Sequence, residues 1–178
     1  MMLDQFSPVQ VSINKTKPLP PRDELSKVLI IGYGEIGGSL YRVLQSSYKL
    51  LYKRDKEGKL EGEFDVVHIA YPYSEKFVEV TRSYIKQYKP RLTIIHSTVK
   101  PGTTRKIGGS VVHSPVNGRH PKLDESILQF TKFIGALEPY SAYEAVMHFN
   151  RAGIRTQVFA SPETTELAKI LCTTRYGT

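Results

Sequence analysis

The stretch VLIIGYGEIGGSL, residues 28–40, constrains the fold of this 178-residue chain more than any other feature. Four apolar residues are followed directly by Gly32, Gly34 and Gly37, which have the spacing G-x-G-x-x-G. The stretch ends with Ser39 and Leu40, two residues that can begin a helix. In such a turn the first glycine permits the bend, the second lets a pyrophosphate approach the backbone, and the third lets the helix pack closely on the strand. The pattern therefore predicts a strand, turn and helix that bind a dinucleotide, with a purely structural turn as the alternative.

Apolar runs alternate with helical patterns along the rest of the chain. Strands are predicted at 28–31, 49–52, 65–70, 91–96, 110–113, 133–135 and 156–159, and helices at 35–46, 74–88, 141–151 and from Ser161 onward. Because a parallel connection needs a crossover, this alternation predicts an α/β fold in a single domain: a doubly wound, mainly parallel Rossmann-like sheet with helices on both faces. We expect an extended or flexible arm at 1–26, the dinucleotide-binding domain at 27–160, and at 161–178 a helix that begins a truncated or absent second domain.

The composition of the chain limits the cellular compartment and the kinds of bound group that are expected. The chain contains a single cysteine, Cys172, which cannot form an internal disulfide and which we expect to be a small core residue. No cysteine cluster is available, so no metal is expected. No apolar run approaches the roughly 20 residues of a membrane span, and no signal peptide is recognisable, so a cytoplasmic protein without membrane association is expected.

The formal net charge of +8 suggests an anionic ligand. The basic residues are scattered along the chain and form neither a stripe nor a platform interleaved with aromatic residues. A small anionic or hydroxylated substrate is therefore expected rather than nucleic acid. A basic surface that only faces solvent is the alternative.

Residues expected to contact the cofactor lie at the ends of successive strands. An acid about 20 residues after the glycines binds the ribose hydroxyls of NAD, and Asp55 stands there, whereas Lys53 and Arg54 suit the 2′-phosphate of NADP. We expect NAD or NADP, with NAD favoured; an exposed polar turn is the alternative. The remaining expected contacts are Tyr33, Glu35 and Ile36 in the glycine turn, Tyr71 and Pro72 after the next strand, and Ser97.

Three further segments carry a family resemblance: HSTVKPGTTRKI (96–107), HSPVNGRHPKLDES (113–126) and TTELAKIL (164–171). With the glycine turn they resemble the superfamily of 6-phosphogluconate and UDP-glucose dehydrogenases, most closely the NAD-binding part of the nucleotide-sugar dehydrogenases. The resemblance implies an oxidoreductase that transfers a hydride between the cofactor and an alcohol or carbonyl substrate. It places Ser97 and Thr98 beside the nicotinamide and assigns Lys169 as the catalytic lysine.

The sequence also departs from that family. Its Ser-Pro-Glu reads Ser114-Pro115-Val116 here, its asparagine four residues after the lysine is Thr173, and the substrate domain with its oxidising cysteine is not in this sequence. We therefore expect a two-electron dehydrogenase or reductase rather than a four-electron oxidation. The alternative is a non-catalytic dinucleotide-binding module or sensor that needs a partner for any activity.

Polar residues after the strand at 110–113 are candidates for binding the substrate. His113, Asn117 and Arg119 are able to orient a carboxylate or phosphate there. The alternative is that His113 is buried in its strand with its ring nitrogens satisfied, and His68 is expected in the core. Apolar residues on the last helix need covering, so a homodimer through that helix is expected; they are Leu167, Ile170 and Leu171.

Overall fold

The computed structural model describes residues 26–56, 58–118 and 121–176. The expected arm up to residue 25 and the substrate candidate Arg119 lie outside the described residues. The strands are β1 (Lys27–Ile31), β2 (Leu50–Arg54), β3 (Val66–Ile69), β4 (Leu92–Ile95), β5 (Val111–His113), β6 (Lys132–Ala136) and β7 (Thr156–Phe159). The helices are α1 (Glu35–Leu44), α2 (Phe77–Tyr88), α3 (Thr103–Ile107), α4 (Leu123–Gln129), α5 (Pro139–Arg151) and α6 (Pro162–Tyr176).

The seven strands form one sheet in the order β2-β1-β3-β4-β5-β6-β7. Neighbouring strands from β2 to β5 pair in parallel, β6 pairs antiparallel with β5, and β7 runs parallel to β6. The predicted α/β fold with a mainly parallel sheet is confirmed. The chain leaves β1 towards β2 on one side and returns to β3 on the other, so the carboxyl ends of these strands form the crevice where such sheets bind ligands.

Two apolar layers enclose the sheet because every central strand buries both of its faces. On one face Val28 and Ile30 of β1 pack in a cluster with residues of α1, α4 and α5. On the other face Leu29 and Ile31 pack in a cluster with residues of α2 and α3. Continuous apolar runs such as VLII are needed for strands covered on both sides.

The predicted elements occur close to their expected positions, with a few differences. The helix predicted at 141–151 begins at Pro139, because proline is favoured at the first helical position. The short helix α4 was not predicted, since seven residues are too few to show a helical period. The expectation for Cys172 was wrong: its side chain is exposed, as are all of residues 171–175 at the end of α6. Among the described residues, no helix has the length and apolar character that crossing a membrane requires.

Candidate functional site

The glycines between β1 and α1 differ in what the fold demands of them. A Cβ on Gly32, whose φ is 92°, would stand 2.7 Å from the backbone nitrogen of Tyr71. A Cβ on Gly37 would stand 1.8 Å from the carbonyl oxygen of Gly32. A Cβ on Gly34 would meet no atom within 4 Å, and its φ of −75° suits any residue. Packing therefore explains the first and third glycines of the motif but not the second.

Gly34 is also the N-cap of α1, and no side chain caps this helix through a hydrogen bond. The N-terminus of a helix carries partial positive charge and presents backbone N–H groups that favour an anion. The open space in front of Gly34 therefore lies where a phosphate group is best stabilised.

The end of β2 lies beside this turn. The amide of Gly32 donates a hydrogen bond of 2.8 Å to the carbonyl of Arg54, and Ile31 pairs with Arg54 in the sheet. Asp55 directly follows Arg54, and its side chain is exposed. The structure thus brings the expected acid next to the first glycine.

The two basic residues before Asp55 point in different directions. The Lys53 ammonium lies 4.1 Å from the ring centroid of Tyr33, within the glycine turn. The Arg54 guanidinium instead donates to the hydroxyl of Tyr88 and, at 3.4 Å, to Gln87, both on α2. Of the pair proposed for a 2′-phosphate, Lys53 alone lies at the turn.

The ends of β3 and β4 are joined by Ser97, which donates its hydroxyl proton to the carbonyl of Tyr71 at 2.6 Å. The Tyr71 phenol is turned into the core, where it bonds to Thr81 at 2.6 Å. Burial raises the pKa of Tyr71 to about 12. Tyr71 therefore offers the site its backbone rather than its side chain, while Pro72 and Thr98 are exposed beside it.

His113 is fully buried beneath this edge. Its Nε2 lies 3.1 Å from the carbonyl of Ser97, which can only accept, so Nε2 carries the proton and Thr165 donates to Nδ1 at 2.8 Å. Burial lowers the pKa of His113 to about 4. The buried interpretation is therefore the one that the structure shows, and His113 supports Ser97 instead of facing a ligand.

Two lysines bind the segment that follows β5. Lys169, half-buried on α6, donates to the carbonyl of Val116 at 2.9 Å. Lys132, buried at the start of β6, donates to the carbonyls of Ser114 at 2.9 Å and Pro115 at 3.1 Å. Burial lowers the pKa of both lysines. Three successive carbonyls are thus held by two ammonium groups.

Sequence reasoning did not identify Lys132, although a single lysine inside the apolar run TKFIGA was a visible signal. The candidate Asn117 lines a small cavity beside this lysine, together with Pro115 and Val116. In the described part of the chain, no three His, Cys, Asp or Glu side chains are arranged to hold a metal ion.

Sequence reasoning also missed Glu166. Its carboxylate is fully buried and accepts the amides of Gly102 at 2.6 Å and Thr104 at 2.8 Å, together with the Thr104 hydroxyl at 2.6 Å. These bonds satisfy the N-terminus of α3 and tie α6 to it. The segments KPGTT and TTELAK are therefore joined physically, and the junction sets where Lys169 lies.

Comparison of the sequence with models of known protein families gives no match, and comparison with curated proteins gives no significant match. Solved structures do share the fold. A UDP-D-ManNAc dehydrogenase from Pyrococcus horikoshii superposes with a TM-score of 0.73 at 16% identity, over 83% of this chain and 50% of that one. A 3-hydroxyisobutyrate dehydrogenase from Mycobacterium tuberculosis gives 0.65 at 15% identity, over 84% and 59%.

A prephenate dehydrogenase from A. aeolicus, solved in complex with hydroxyphenyl propionate and NAD⁺, gives a TM-score of 0.62 at 16% identity, over 83% and 63% of the two chains. The chain spans about half to two thirds of the length of these structures. The resemblance to nucleotide-sugar dehydrogenases is confirmed at the level of the fold. Because these enzymes act on different substrates, the fold leaves the substrate open.

Proposed function

We propose that this chain is the dinucleotide-binding domain of an NAD(P)-dependent oxidoreductase that transfers a hydride between the cofactor and an alcohol or carbonyl substrate. The observation that carries the proposal is Gly34, a glycine that neither packing nor backbone conformation requires, at the uncapped N-terminus of α1. Proteins that share the fold support it: they are dehydrogenases, and one contains NAD⁺.

The residues present suit such a cofactor. Backbone amides at the start of α1 would face the pyrophosphate across Gly34, and the carboxylate of Asp55 would accept hydrogen bonds from the adenosine ribose. Asp55 favours NAD, because a carboxylate repels the 2′-phosphate of NADP. Lys53 beside Tyr33 is the one feature that would favour NADP.

The candidate catalytic residues lie at the ends of β4 and α6. When bound, the nicotinamide supplies the chemistry of accepting or delivering a hydride. The exposed Thr98 would hydrogen-bond the reacting oxygen of the substrate, and the Ser97 hydroxyl would accept a hydrogen bond from an alcohol substrate. Lys169 uses one of its three N–H donors on Val116, so donors remain to stabilise a developing alkoxide. Its lowered pKa favours proton exchange with that oxygen.

A second candidate function is a dinucleotide-binding module without turnover. Ser97 already donates its only hydroxyl proton to the Tyr71 carbonyl, which leaves that hydroxyl acceptor capacity alone. A chain of about half the length of the dehydrogenases also offers few walls to position a substrate. Under this function the cofactor binds, but Lys169→Met changes no rate.

Titration with NADH and NADPH by fluorescence or calorimetry tests the proposal. Gly34→Val should abolish binding without unfolding the protein, since the added carbons enter open space where the pyrophosphate would lie. Gly38→Ala is the matched control: it lies one turn further along, meets only the Arg42 guanidinium at 3.4 Å, and should bind as the wild type does. Failure of the wild type to bind either nucleotide would refute both candidate functions.

Two further measurements separate the finer proposals. Asp55→Asn should weaken NADH binding by about tenfold, the value of one lost charge-assisted hydrogen bond, while NADPH binding changes less or improves. If a panel of hydroxy acids and nucleotide sugars then reduces NAD⁺, Lys169→Met should lower kcat. Nucleotide binding without turnover on any of them would favour the module.

Exposed apolar side chains on α6 support the proposal of a homodimer. Leu167 and Leu171 are 46% and 60% exposed, and with Phe133 and Phe159 they line an apolar groove of about 550 Å³. We expect a second copy to cover this groove, so Leu171→Glu should convert a dimer to a monomer in light scattering. A wild-type protein that is monomeric at high concentration would contradict this expectation.

A further inference from the structure

Four buried side chains outside the candidate cofactor site form one continuous hydrogen-bonded chain. The Tyr48 hydroxyl lies 2.8 Å from Nδ1 of His148, whose Nε2 lies 2.9 Å from Nε2 of His68. Nδ1 of His68 lies 2.8 Å from Nε2 of His96. The chain begins two residues before β2, passes through the middle of β3, and ends at the first residue after β4. It therefore joins the amino side of the sheet to the carboxyl edge, where the candidate site lies.

The hydrogen bonds of this chain can run in either of two directions, because each neutral histidine has one donor and one acceptor nitrogen. In the first direction, the Tyr48 hydroxyl donates its only proton to the carbonyl of His148 at 2.9 Å. Nδ1 of His148 must then donate to the tyrosine oxygen, so its Nε2 accepts from His68. By the same rule Nδ1 of His68 accepts from His96. The open end is Nδ1 of His96, which is fully buried and finds no hydrogen-bond partner among the described residues. It is bare in this first direction. In the second direction Tyr48 donates to Nδ1 of His148, and Nδ1 of His96 carries a proton.

Lys132 lies at that open end. It is 5% exposed, and its ammonium lies 5.3 Å from the ring centroid of Phe149. Its bonds to Ser114 and Pro115 use two of its three donors, which leaves one. The Ser114 backbone lies beside His96 as well, and burial together with the charge of Lys132 lowers the pKa of that histidine. The charged ammonium therefore favours the first direction, in which the nearby Nδ1 of His96 is bare.

The charged and titratable groups around Lys132 come from four elements. Histidines on or directly after three strands feel its charge, namely His68, His96 and His113. Burial, with a smaller contribution from the ammonium of Lys169 on α6, lowers the pKa of Lys132 to about 7. The nearby side chains of α4, Ser126 and Ile127, are uncharged. No carboxylate of the described part of the chain pairs with Lys132, so its proton is exchangeable near neutral pH.

We propose that Lys132 and the chain from His96 to Tyr48 form one proton-transfer unit, in which loss of the Lys132 proton reverses every hydrogen bond of the chain. The Lys132 proton moves to Nδ1 of His96, and the Nε2 proton of His96 moves to Nδ1 of His68. The Nε2 proton of His68 moves to Nε2 of His148, whose Nδ1 proton moves to the Tyr48 oxygen.

Tyr48 in turn releases its original proton to water, so one proton leaves Lys132 and one leaves the protein, with no change of oxidation state. All three histidines are neutral before and after the transfer, but the opposite ring nitrogen then carries the proton in each. Tyr48 is 4% exposed, and the charge of Arg151 opposes the burial that raises the pKa of Tyr48. If the proposed function holds, the unit would carry away the proton released when an alcohol is oxidised above Ser114–Val116.

Nitrogen-15 NMR of the histidine rings in the full chain without cofactor tests this proposal, since it distinguishes protonated from bare ring nitrogens. Between about pH 6 and about pH 9, around the pKa of Lys132, we expect His68, His96 and His148 to exchange their protonated nitrogens at one common midpoint. His113 is the internal control: the carbonyl of Ser97 fixes its proton on Nε2 throughout.

Two variants define the source of the transition. Lys132→Met should abolish it, and Lys169→Met should move the midpoint to higher pH, because the repelling charge is gone. Rings that keep their protonated nitrogens across the titration of Lys132, or that change at separate midpoints, would overturn the proposal. The wild-type spectra decide this even if Lys132→Met does not fold. Because no cofactor is present, a negative result leaves the nucleotide titration as an independent test of the proposed function.

Discussion

Moderate acid should unfold this protein, because four histidines are buried in their neutral form. They are His68, His96, His113 and His148. Burial lowers the pKa of His113 to about 4 and that of His148 to about 3, and it holds the pKa of the other two well below the ordinary value. In the unfolded chain all four titrate near a pKa of about 6.5. Acid therefore protonates the unfolded state first.

The sign and size follow from linkage. The stability that the neutral histidines contribute is fully present above about pH 6.5 and is lost as the pH falls from there towards the folded pKa values. In that pH range, each histidine lowers the free energy of unfolding by up to about 1.4 kcal/mol per pH unit. Between pH 7 and pH 5.5 the loss is about 1.3 kcal/mol for each histidine, or about 5 kcal/mol for four. That loss is comparable to the whole stability of a small domain.

Urea unfolding at constant ionic strength, followed by circular dichroism, measures this loss; the chain has no tryptophan to report by fluorescence. The free energy of unfolding should fall by about 5 kcal/mol between pH 7 and pH 5.5. His113→Gln keeps a donor for the carbonyl of Ser97 and removes one titrating group, so the slope should fall by a quarter. A free energy of unfolding that stays constant over this range would refute the burial of neutral histidines.

Other predictions concern single contacts, each measured by urea unfolding. Gly37→Ala should cost at least about 2 kcal/mol, because its Cβ would stand 1.8 Å from the Gly32 carbonyl, whereas Gly34→Ala should be neutral. Glu166→Gln should cost about 1.5–3 kcal/mol, because two amides and a hydroxyl lose a charged acceptor. With the pKa of Lys132 near 7, stability should rise by about 2 kcal/mol from pH 7 to pH 9, and Lys132→Met should lack this rise.

Most of the fold could be predicted from local patterns. Strands buried on both faces read as runs such as VLII, and the helices between them carry an apolar stripe, so order and type of the elements were visible. The start of α6 was also visible: the helix predicted from Ser161 onward begins at Pro162, and the Ser161 hydroxyl accepts the amide of Glu163 at 3.1 Å. The exposure of Cys172 was not, because a small apolar residue at the end of a helix has the same pattern whether the helix is covered or not.

The candidate site was predictable only in part. The glycine spacing and Asp55 follow a local rule, and the structure brings them together as expected. The opposite directions of Lys53 and Arg54 could not be predicted, since they depend on which helix covers each face of the edge strand β2. From the sequence, His113 was consistent both with binding a substrate and with being buried in its strand. Only its partners in the structure, Ser97 and Thr165, show that it is buried and hydrogen-bonded.

By itself the sequence determined the succession of strands and helices and the turn that bends around Gly32 and Gly37, because those depend on residues adjacent in the chain. Tertiary structure alone decided the interactions between distant segments: Glu166 on the start of α3, the two lysines on the carbonyls after β5, and the histidine chain across the sheet. Polar groups buried far from water must find partners, and parallel strands joined by crossovers bring those partners from positions that no local pattern connects.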